Sequence, residues 1–567
     1  MASKNDEDAF LDFLADEGRV IGQSAKRLFR DAIEITQRDT SGAVEATKTA
    51  LSGSKVTLFE GCVVAGNYLA RPDVLIRDGR RLFLIEVKSK AGDLQAHMEG
   101  RLLINIYGDI RAAWRDYVRD LAFQTVVVRR AYPDLEVIPY LLLPESNSLA
   151  SPEEVEAVRA ADFDAVDIDG DAIRQRRSKS ILKFFPAKKA IEHVLQGTEQ
   201  MMEKMEQLWK SGQRPEAPLK YQCRNCEFRL DNGRNPKDGF HICWSDLAKP
   251  KPHIFDLYQL YSLKAGGQKL LADQKIAAGT TSLYDVIEAD LHGEHAERQR
   301  IQLNFQKSGK EWVAPELKDA MEQLQWPIAF VDFETTMAGM PWYPNTKPYE
   351  VMPFQFSAHI VEQDGSWRQV EWLNLEDRPP TLEFIGQLRT ALDGIQSILV
   401  YTDYENQRLQ DAIGFLHRLP DDTIAERTWI SELLSSGRIV DQHQWVYDWY
   451  FHPAMAGKTS IKKVLPAVWK ENPKLHEHEC FKRYAAKDAS GVLNPYATLP
   501  TGNINGIEWE VREGCSAMKT YRELIRGVGA VDPIAKAELA ELLRQYVTLD
   551  TASQWMIFEH WHQHFGL

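Results

Sequence analysis

The sequence predicts an α/β protein in which two sheet-containing domains are joined by a helical connector. A short apolar strand that carries two acids runs from 327 to 336, and alternating apolar and polar residues between 55 and 88 are typical of β-strands. Between them, the sequence Lys249-Pro250-Lys251-Pro252 predicts a stiff linker, and the residues after it have a helical pattern. From these three observations we expect the following parts: a first domain at 1–248, a connector at 249–325 and a second domain at 326–567.

Composition limits the classes of protein that the chain can represent. Its 567 residues are 44% hydrophobic and 26% charged, which is typical of a globular chain with several domains. No apolar run approaches the roughly 18 residues of a membrane span, and the acidic start of the chain is unlike a signal peptide. Six cysteines do not make a disulfide scaffold, so we expect a reducing cytoplasm. The net charge of −14 argues against nucleic-acid binding over the whole surface but leaves room for a local basic groove.

Two acids interrupt the predicted strand at 327–336. Asp332 and Glu334 are two residues apart, so both side chains project from the same face of the strand. Burying two like charges together is costly unless a cation lies between them. Carboxylate oxygens suit a hard divalent ion such as Mg²⁺ or Mn²⁺. A solvated strand end is the commoner explanation of an isolated pair, so the choice depends on later residues.

Two later segments provide the further groups that such a metal site needs. Residues 397–409 predict a short strand followed by a helix whose first turn contains Asp403 and Glu405. Near the C-terminus, Tyr546 and Asp550 are four residues apart on a predicted helix and therefore share one face.

In this order the three motifs resemble those of the DEDD exonucleases of the DnaQ-like, ribonuclease-H-fold superfamily, in the branch whose third motif is Y-x-x-x-D. The resemblance implies a ribonuclease-H-like mixed-sheet domain that hydrolyses phosphodiester bonds from a 3′ end. It also implies that Tyr546 positions the attacking water and that two metal ions are held by four acids: Asp332, Glu334, Glu405 and Asp550. Glu405 stands where the superfamily usually has Asp. Asp403 is the rival ligand, and Glu405 is preferred because it follows an aromatic residue and precedes x-x-Arg-Leu.

The predicted hairpin around Asp78-Gly79 carries a second set of polar residues. Asp73 lies near the end of one strand, and Glu86 and Lys88 alternate on one face of the next. Two carboxylates could hold a metal ion, and a lysine could stabilise charge that develops at phosphorus. A surface salt-bridge cluster is the alternative explanation of a bare Glu-x-Lys.

These residues resemble the second and third motifs of the PD-(D/E)XK nucleases of the RecB-like group, which includes the iron–sulfur nucleases of CRISPR systems. The matching segments are Arg71-Pro72-Asp73 and Ile85-Glu86-Val87-Lys88-Ser89. The resemblance implies a restriction-endonuclease-like first domain in which Gln124 lies beside the site, with Glu60 as a further acid. The histidine that some relatives carry in the first helices is not found around residues 18–23, which favours weaker cleavage.

A basic stretch follows the hairpin in the first half of the chain. Residues 174–189 are rich in Arg and Lys, and with Phe184 and Phe185 they are a candidate track for a phosphate backbone, although a solvated helical face explains them equally well.

The cysteine group lies in a Gly- and Asn-rich segment. CxxC spacing suits one metal ion or cluster, and the candidate ligands are Cys223, Cys226, Cys243 and His241. RecB-like relatives complete a [4Fe–4S] cluster with a fourth cysteine near the N-terminus, but this chain has none before Cys62. Both a [4Fe–4S] cluster and a Cys₃His Zn²⁺ site therefore remain open.

The order of parts across nearly the whole chain resembles a bacterial family that joins a RecB-like nuclease, a cysteine motif and a DEDDy exonuclease. The resemblance implies which parts are present but not what they are for. From the parts themselves we expect a metal-dependent nuclease with two catalytic domains, acting on single-stranded 3′ ends of DNA rather than RNA, and the pairing of the domains suggests repair or defence against phage. Two alternatives stay open. One is a nucleic-acid-binding scaffold whose N-terminal nuclease fold is inert, and the other is an exonuclease that processes RNA.

Overall fold

The computed structural model describes residues 9–29, 31–160, 180–213, 217–230, 237–267, 269–420, 422–489 and 491–567. It is 49% helix and 18% strand, and its two main sheets mix parallel and antiparallel pairs, so the fold is of the mixed α/β kind that the sequence predicts. None of the helices formed by these residues is long and apolar enough to cross a membrane.

The chain divides into two compact units whose boundaries differ from the predicted ones. The N-terminal unit comprises Asp12–Glu216 and Met337–Glu350, and the C-terminal unit comprises Met1–Leu11, Ala217–Thr336 and Val351–Leu567. The cysteine segment at 217–248 was expected in the first domain. It belongs to the C-terminal unit because its apolar side chains share a core with the connector, as the contact between the rings of Trp244 and Phe255 shows.

The N-terminal unit is built on a six-stranded mixed sheet with the order β1-β2-β5-β6-β7-β8, and a separate two-stranded sheet pairs β3 with β4. Its strands are β1 (Ile33–Glu34), β2 (Lys55–Phe59), β3 (Val63–Ala65), β4 (Tyr68–Ala70), β5 (Val74–Asp78), β6 (Arg81–Val87), β7 (Glu136–Pro144) and β8 (Leu182–Pro186). Its helices are α1 (Ala9–Lys26), α2 (Thr40–Ala50), α3 (Leu94–Met98), α4 (Arg115–Ala131), α5 (Pro152–Ala160) and α6 (Lys188–Ser211).

The predicted hairpin is present. Asp78 pairs with Arg81 across a two-residue turn, and Gly79 adopts a φ of 61°, a left-handed conformation that glycine takes without steric cost. Strand β6 is buried on both faces: Leu82 and Leu84 face the core formed with α4 and α6, and the alternate residues face the core formed with α1. Asp73 and Glu86 lie at the end of this hairpin.

The predicted nucleic-acid track at 174–189 is only partly within the described residues, since 161–179 lie outside them. Phe184 and Phe185, which the sequence places on the candidate phosphate track, are 0% exposed on β8. Their rings pack in the two cores of the sheet, so this part of the prediction is wrong.

A segment from the second half of the sequence, residues 337–350, completes the N-terminal unit. The backbone N–H of Gly339 donates to the buried carboxylate of Glu17, and the Tyr349 hydroxyl donates to the carbonyl oxygen of Ser89 at 2.5 Å. A Cβ on Gly339 would lie 2.6 Å from Ile21 Cδ1, so any larger residue would force the neighbouring side chains to move. Met340 is 1% exposed in the core beneath α1.

The C-terminal unit is built on a five-stranded mixed sheet with the order β12-β11-β10-β13-β14. Its strands are β9 (Trp312–Val313), β10 (Ile328–Thr336), β11 (Met352–Val361), β12 (Trp367–Leu373), β13 (Ser397–Val400), β14 (Ile439–Asp441), β15 (Tyr450–Phe451), β16 (Lys487–Asp488), β17 (Gly491–Val492), β18 (Thr501–Ile504) and β19 (Ile507–Glu510). Its helices are α7 (Gly239–Trp244), α8 (Leu271–Ala277), α9 (Ala296–Ser308), α10 (Pro315–Glu322), α11 (Thr381–Ala391), α12 (Tyr404–Leu416), α13 (Ile424–Ser435), α14 (Gln442–Trp449), α15 (Ile461–Glu471), α16 (Gly514–Arg526) and α17 (Pro533–Phe565).

Strand β10 lies at the centre of this sheet, and its two faces pack against different helices. Val331 and Phe333 face the core formed with α11, α12 and α13. On the other face, the ring of Phe330 lies 5.4 Å from that of Phe558 on α17. The Gln554 side chain of α17 also donates to the Val331 carbonyl oxygen at 2.9 Å. Asp332 and Glu334 share the face of Phe330, so β10 presents both acids to α17.

Candidate functional site

Three acids that are distant in sequence come together at the junction of β10 and α17. Ligating oxygen atoms of Asp332, Glu334 and Asp550 lie within 4.8 Å of one another. Among the described residues, this is the place where three or more such ligating atoms gather so closely. The strand alternation and the helical spacing that predicted these residues therefore place them where a single cation could contact all three.

The fourth predicted acid and the predicted tyrosine line the same cavity, whose volume is about 510 Å³. Glu405, in the first turn of α12, is 3% exposed, and its Oε2 atom has no hydrogen-bond partner among the described residues. Its rival Asp403 is exposed, and its carboxylate accepts hydrogen bonds from the side chains of Asn406 and Gln407. Glu405, and not Asp403, is the acid that this helix presents to the cavity, which Tyr546 also lines.

The turn before α12 is held by a neighbouring acid. The backbone N–H of Thr402, which has a φ of 97°, donates to Asp441 Oδ1 at 3.0 Å. The same oxygen accepts from the backbone N–H of His443 at 2.8 Å and caps α14. Asp441 therefore supports the turn that presents Glu405, in place of a direct role in the cavity.

Two polar side chains that the sequence motifs did not include complete the site. The Tyr496 hydroxyl donates to Asp550 Oδ1, and the Lys462 ammonium donates to the Tyr546 hydroxyl at 3.0 Å. Tyr496 lies in a long polar segment without helical or strand periodicity, so no sequence signal marks it. Lys462 is the second residue of α15 and follows Thr459-Ser460, which is a recognisable helix start but does not identify the cavity it faces.

Burial dominates the electrostatics of the acids. It raises the pKa values of Asp332, Glu334 and Asp550, and for the first two the neighbouring acids raise them further. Burial likewise raises the pKa of Glu405 to about 8. The donor set consists of carboxylate oxygens, one of them without a partner, and such a set fits a hard divalent cation such as Mg²⁺ or Mn²⁺.

This burial predicts an unusual pH dependence of stability. The folded chain stripped of metal holds the Glu405 proton up to about pH 8, whereas the unfolded chain releases it near pH 4.5. The folded state therefore binds more protons over this interval, and the free energy of unfolding should fall as pH rises from about 5 to 8, by on the order of a few kcal/mol. Thermal denaturation in EDTA at pH 5.5 and 8 checks this. Glu405→Gln should show a smaller fall, and an identical fall in the variant would contradict the assignment.

The predicted residues of the N-terminal unit also lie together. Lys88 Nζ lies 2.9 Å from Glu86 Oε1 and 2.7 Å from Asp120 Oδ2. The Gln124 side chain donates to Glu86 Oε2 at 2.9 Å, and the backbone N–H of Val87 donates to Asp73 Oδ2 at 2.7 Å. Asp120, on α4, was not predicted as a member of this group, although it stands one turn before Gln124.

The environment of this second site resembles that of the first, although the site is smaller. Burial raises the pKa of Asp73 to about 6 and that of Glu86 to about 7. Burial also lowers the pKa of Lys88, but its two acidic partners outweigh this and leave it above its ordinary value. A cavity of about 340 Å³ is lined by Asp73, Lys88 and Glu60. Glu86 is not among the lining residues, and it is buried, with 5% of its surface exposed. The carboxylates of Asp73 and Glu86 are the kind of ligand that suits a divalent cation. The ammonium group of Lys88 is already paired with Glu86 and Asp120.

The described residues do not bring the four predicted ligands of the cysteine site together. Cys223 and Cys226 lie in a short turn, His241 and Cys243 lie on α7, and residues 231–236 between them are outside the described range. Within the described residues, no three of the ligating atoms of these four side chains approach within 4.8 Å of one another. His241 Nδ1 instead lies 3.1 Å from Asp238 Oδ2. The described residues therefore do not form this ligand set, and a [4Fe–4S] cluster or Zn²⁺ stays a prediction that visible absorbance and metal analysis can test.

Comparison with known proteins returns one family. A family model described as a domain of unknown function, DUF2779, matches residues 329–460. This range includes Asp332, Glu334 and Glu405 and ends before α15 and α17, which carry Lys462, Tyr546 and Asp550. No curated protein and no solved structure matches the chain.

Proposed function

We propose that this protein is a metal-dependent nuclease that hydrolyses phosphodiester bonds of DNA from single-stranded 3′ ends at the C-terminal site. The observation that carries the proposal is the convergence of four acids from β10, α12 and α17 in one cavity with Tyr546. The order of the three motifs along the sequence predicts the same group of residues. The mixed sheet that presents the acids agrees with the ribonuclease-H-like domain and DEDDy exonuclease class that the motifs resemble.

Each residue of the C-terminal site has a proposed task. Asp332, Glu334 and Asp550 would hold Mg²⁺ or Mn²⁺, and the unpartnered oxygen of Glu405 would supply a further ligand. When bound, such ions stabilise charge on the phosphoryl oxygens and lower the pKa of water. Tyr546, which lies in the same cavity, would orient the attacking water by a hydrogen bond.

The N-terminal unit is proposed to carry a second nuclease site of the RecB-like, PD-(D/E)XK kind. Asp73 and Glu86 would hold a metal ion, Lys88 would stabilise charge at phosphorus, and Gln124 would keep Glu86 in place through its hydrogen bond. The alternative of an inert N-terminal fold in a nucleic-acid-binding protein has its own support. Lys88 is paired with Glu86 and Asp120, and the buried Glu86 is hydrogen-bonded to Gln124.

A matched pair of substitutions on α12 tests the C-terminal site. Glu405→Gln removes a carboxyl group that can give up its proton to a metal ion, and it should lower the rate of 3′-end degradation by about 100-fold, since it weakens one proposed metal ligand. Asp403→Asn makes the same chemical change on the exposed side of the turn and should stay within about twofold of the wild type. Titration calorimetry with Mn²⁺ should show weaker binding for the first variant alone. Loss of activity in Asp403→Asn with a fully active Glu405→Gln would contradict the assignment.

A further inference from the structure

One cation faces the acids of the C-terminal cavity. Lys462 is the only lysine or arginine among the described residues that line it. Its ammonium lies 4.9 Å from the ring centroid of Tyr546 and 5.0 Å from that of Tyr496, and it also donates to the carbonyl oxygen of Arg512 at 2.5 Å. Two rings and a backbone carbonyl thus fix the position of the ammonium group.

The direction of the bond between Lys462 and Tyr546 follows from chemistry. An ammonium group has three N–H donors and no acceptor, so the Tyr546 oxygen must accept. The phenolic proton is then left to donate to another group. Asp550, whose Oδ1 accepts from the Tyr496 hydroxyl, lines the same cavity as Tyr546 together with Asp332 and Glu334, so the acceptors open to the Tyr546 proton lie on the side of the acids.

We propose that Lys462 is a positioning residue that holds the Tyr546 hydroxyl as a hydrogen-bond donor toward the acidic side of the cavity. This rests on the proposed exonuclease function. It deepens that function because it assigns Tyr546 a direction: its O–H donates to an oxygen in the cavity, and its own oxygen is already occupied. Burial raises the pKa of Tyr546 well above its ordinary value, which agrees with a hydroxyl that keeps its proton.

The contact itself can be tested without activity. In the full-length chain labelled with ¹³Cζ-tyrosine, the Tyr546 resonance is identified by its loss in Tyr546→Phe. We expect it to move in Lys462→Met and to stay in place in Lys463→Met, which removes the exposed neighbouring cation. Lys462→Arg retains a donor and should leave a smaller change than the methionine. A Tyr546 resonance that is the same in Lys462→Met as in the wild type would overturn the proposal.

A double-mutant cycle then tests the role, with single-stranded DNA labelled at its 5′ end and Mn²⁺. Lys462→Met and Tyr546→Phe should each lower kcat about tenfold with little change in KM, and the double variant should be no slower than the slower single variant. Losses that multiply, or a raised KM with unchanged kcat, would overturn the proposal, because Lys462 would then act directly on the substrate. Melting temperatures of the variants confirm that they are folded.

Different results would refute the exonuclease function and the role of Lys462. A wild-type chain that degrades no 3′ end would refute the exonuclease function, and the tyrosine resonance would still decide whether Lys462 orients Tyr546. An active wild type with multiplicative losses would leave the exonuclease function standing and remove the role of Lys462.

Discussion

Replacing Asp332 with alanine should lower the rate of 3′-end degradation by about 10³-fold or more. A catalytic metal ion supplies several kcal/mol of transition-state stabilisation, and about 1.4 kcal/mol corresponds to a factor of ten. Ligating oxygens of Asp332, Glu334 and Asp550 lie within 4.8 Å of one another, so the loss of Asp332 should weaken the binding of the proposed ion as well as its chemistry.

The measurement uses labelled single- and double-stranded DNA and RNA with Mn²⁺, which also decides between the DNA and RNA alternatives. Asp393→Ala is the matched control, because Asp393 is an exposed acid in the turn before β13 and is not part of the cavity lining. Its activity should equal that of the wild type. If Asp332→Ala degrades every 3′ end as fast as the wild type, the exonuclease proposal is wrong.

Replacing Glu86 with alanine in the Asp332→Ala background should abolish the remaining cleavage. Glu86 is buried and accepts hydrogen bonds from Lys88 and Gln124, so its loss should remove the proposed metal ligand and release Lys88 from one of its two acidic partners. We expect a fall of about 100-fold or more in internal or end cleavage by the N-terminal unit.

The control for this prediction is Glu136→Ala, which removes an exposed acid from the same sheet. Glu86→Gln, which keeps the shape of the side chain, separates loss of charge from loss of packing, and thermal denaturation reports the fold of both variants. Unchanged cleavage in the Glu86 variants would mean that the N-terminal site does not cut nucleic acid, and the inert-fold alternative would stand.

Local patterns in the sequence were sufficient for the acids of the C-terminal site. Asp332 and Glu334 follow from the alternation of a strand, and Tyr546 and Asp550 follow from the spacing of a helix. Strand alternation and helical spacing relate residues that are only a few positions apart, and the structure forms the expected strand β10 and helix α17. The choice of Glu405 over Asp403 needed the motif context, and the structure agrees with it because only Glu405 points into the cavity.

Contacts between distant segments were beyond these rules. Tyr496 contacts Asp550 from a polar segment, and Lys462 contacts Tyr546 from the start of α15. Neither contact is indicated by any periodic pattern in the sequence. The predicted domain boundary differs from that of the structure for the same reason, because the aromatic side chains of α7 pack against residues of the connector. The cysteine group shows the converse: CxxC spacing suggested a ligand set, but the described residues do not bring its members together.

The passage of residues 337–350 into the N-terminal unit has a consequence for synthesis on the ribosome. A chain that emerges from its N-terminus presents residues 12–216 first, with Glu17 buried in the finished unit but its partner Gly339 not yet made. The N-terminal unit cannot reach its final state until residue 350 has left the exit tunnel, by which time residues 217–336 are already outside. The N-terminal unit therefore matures only after the first part of the C-terminal unit has emerged, and a fragment that ends at residue 216 lacks a piece of its own core.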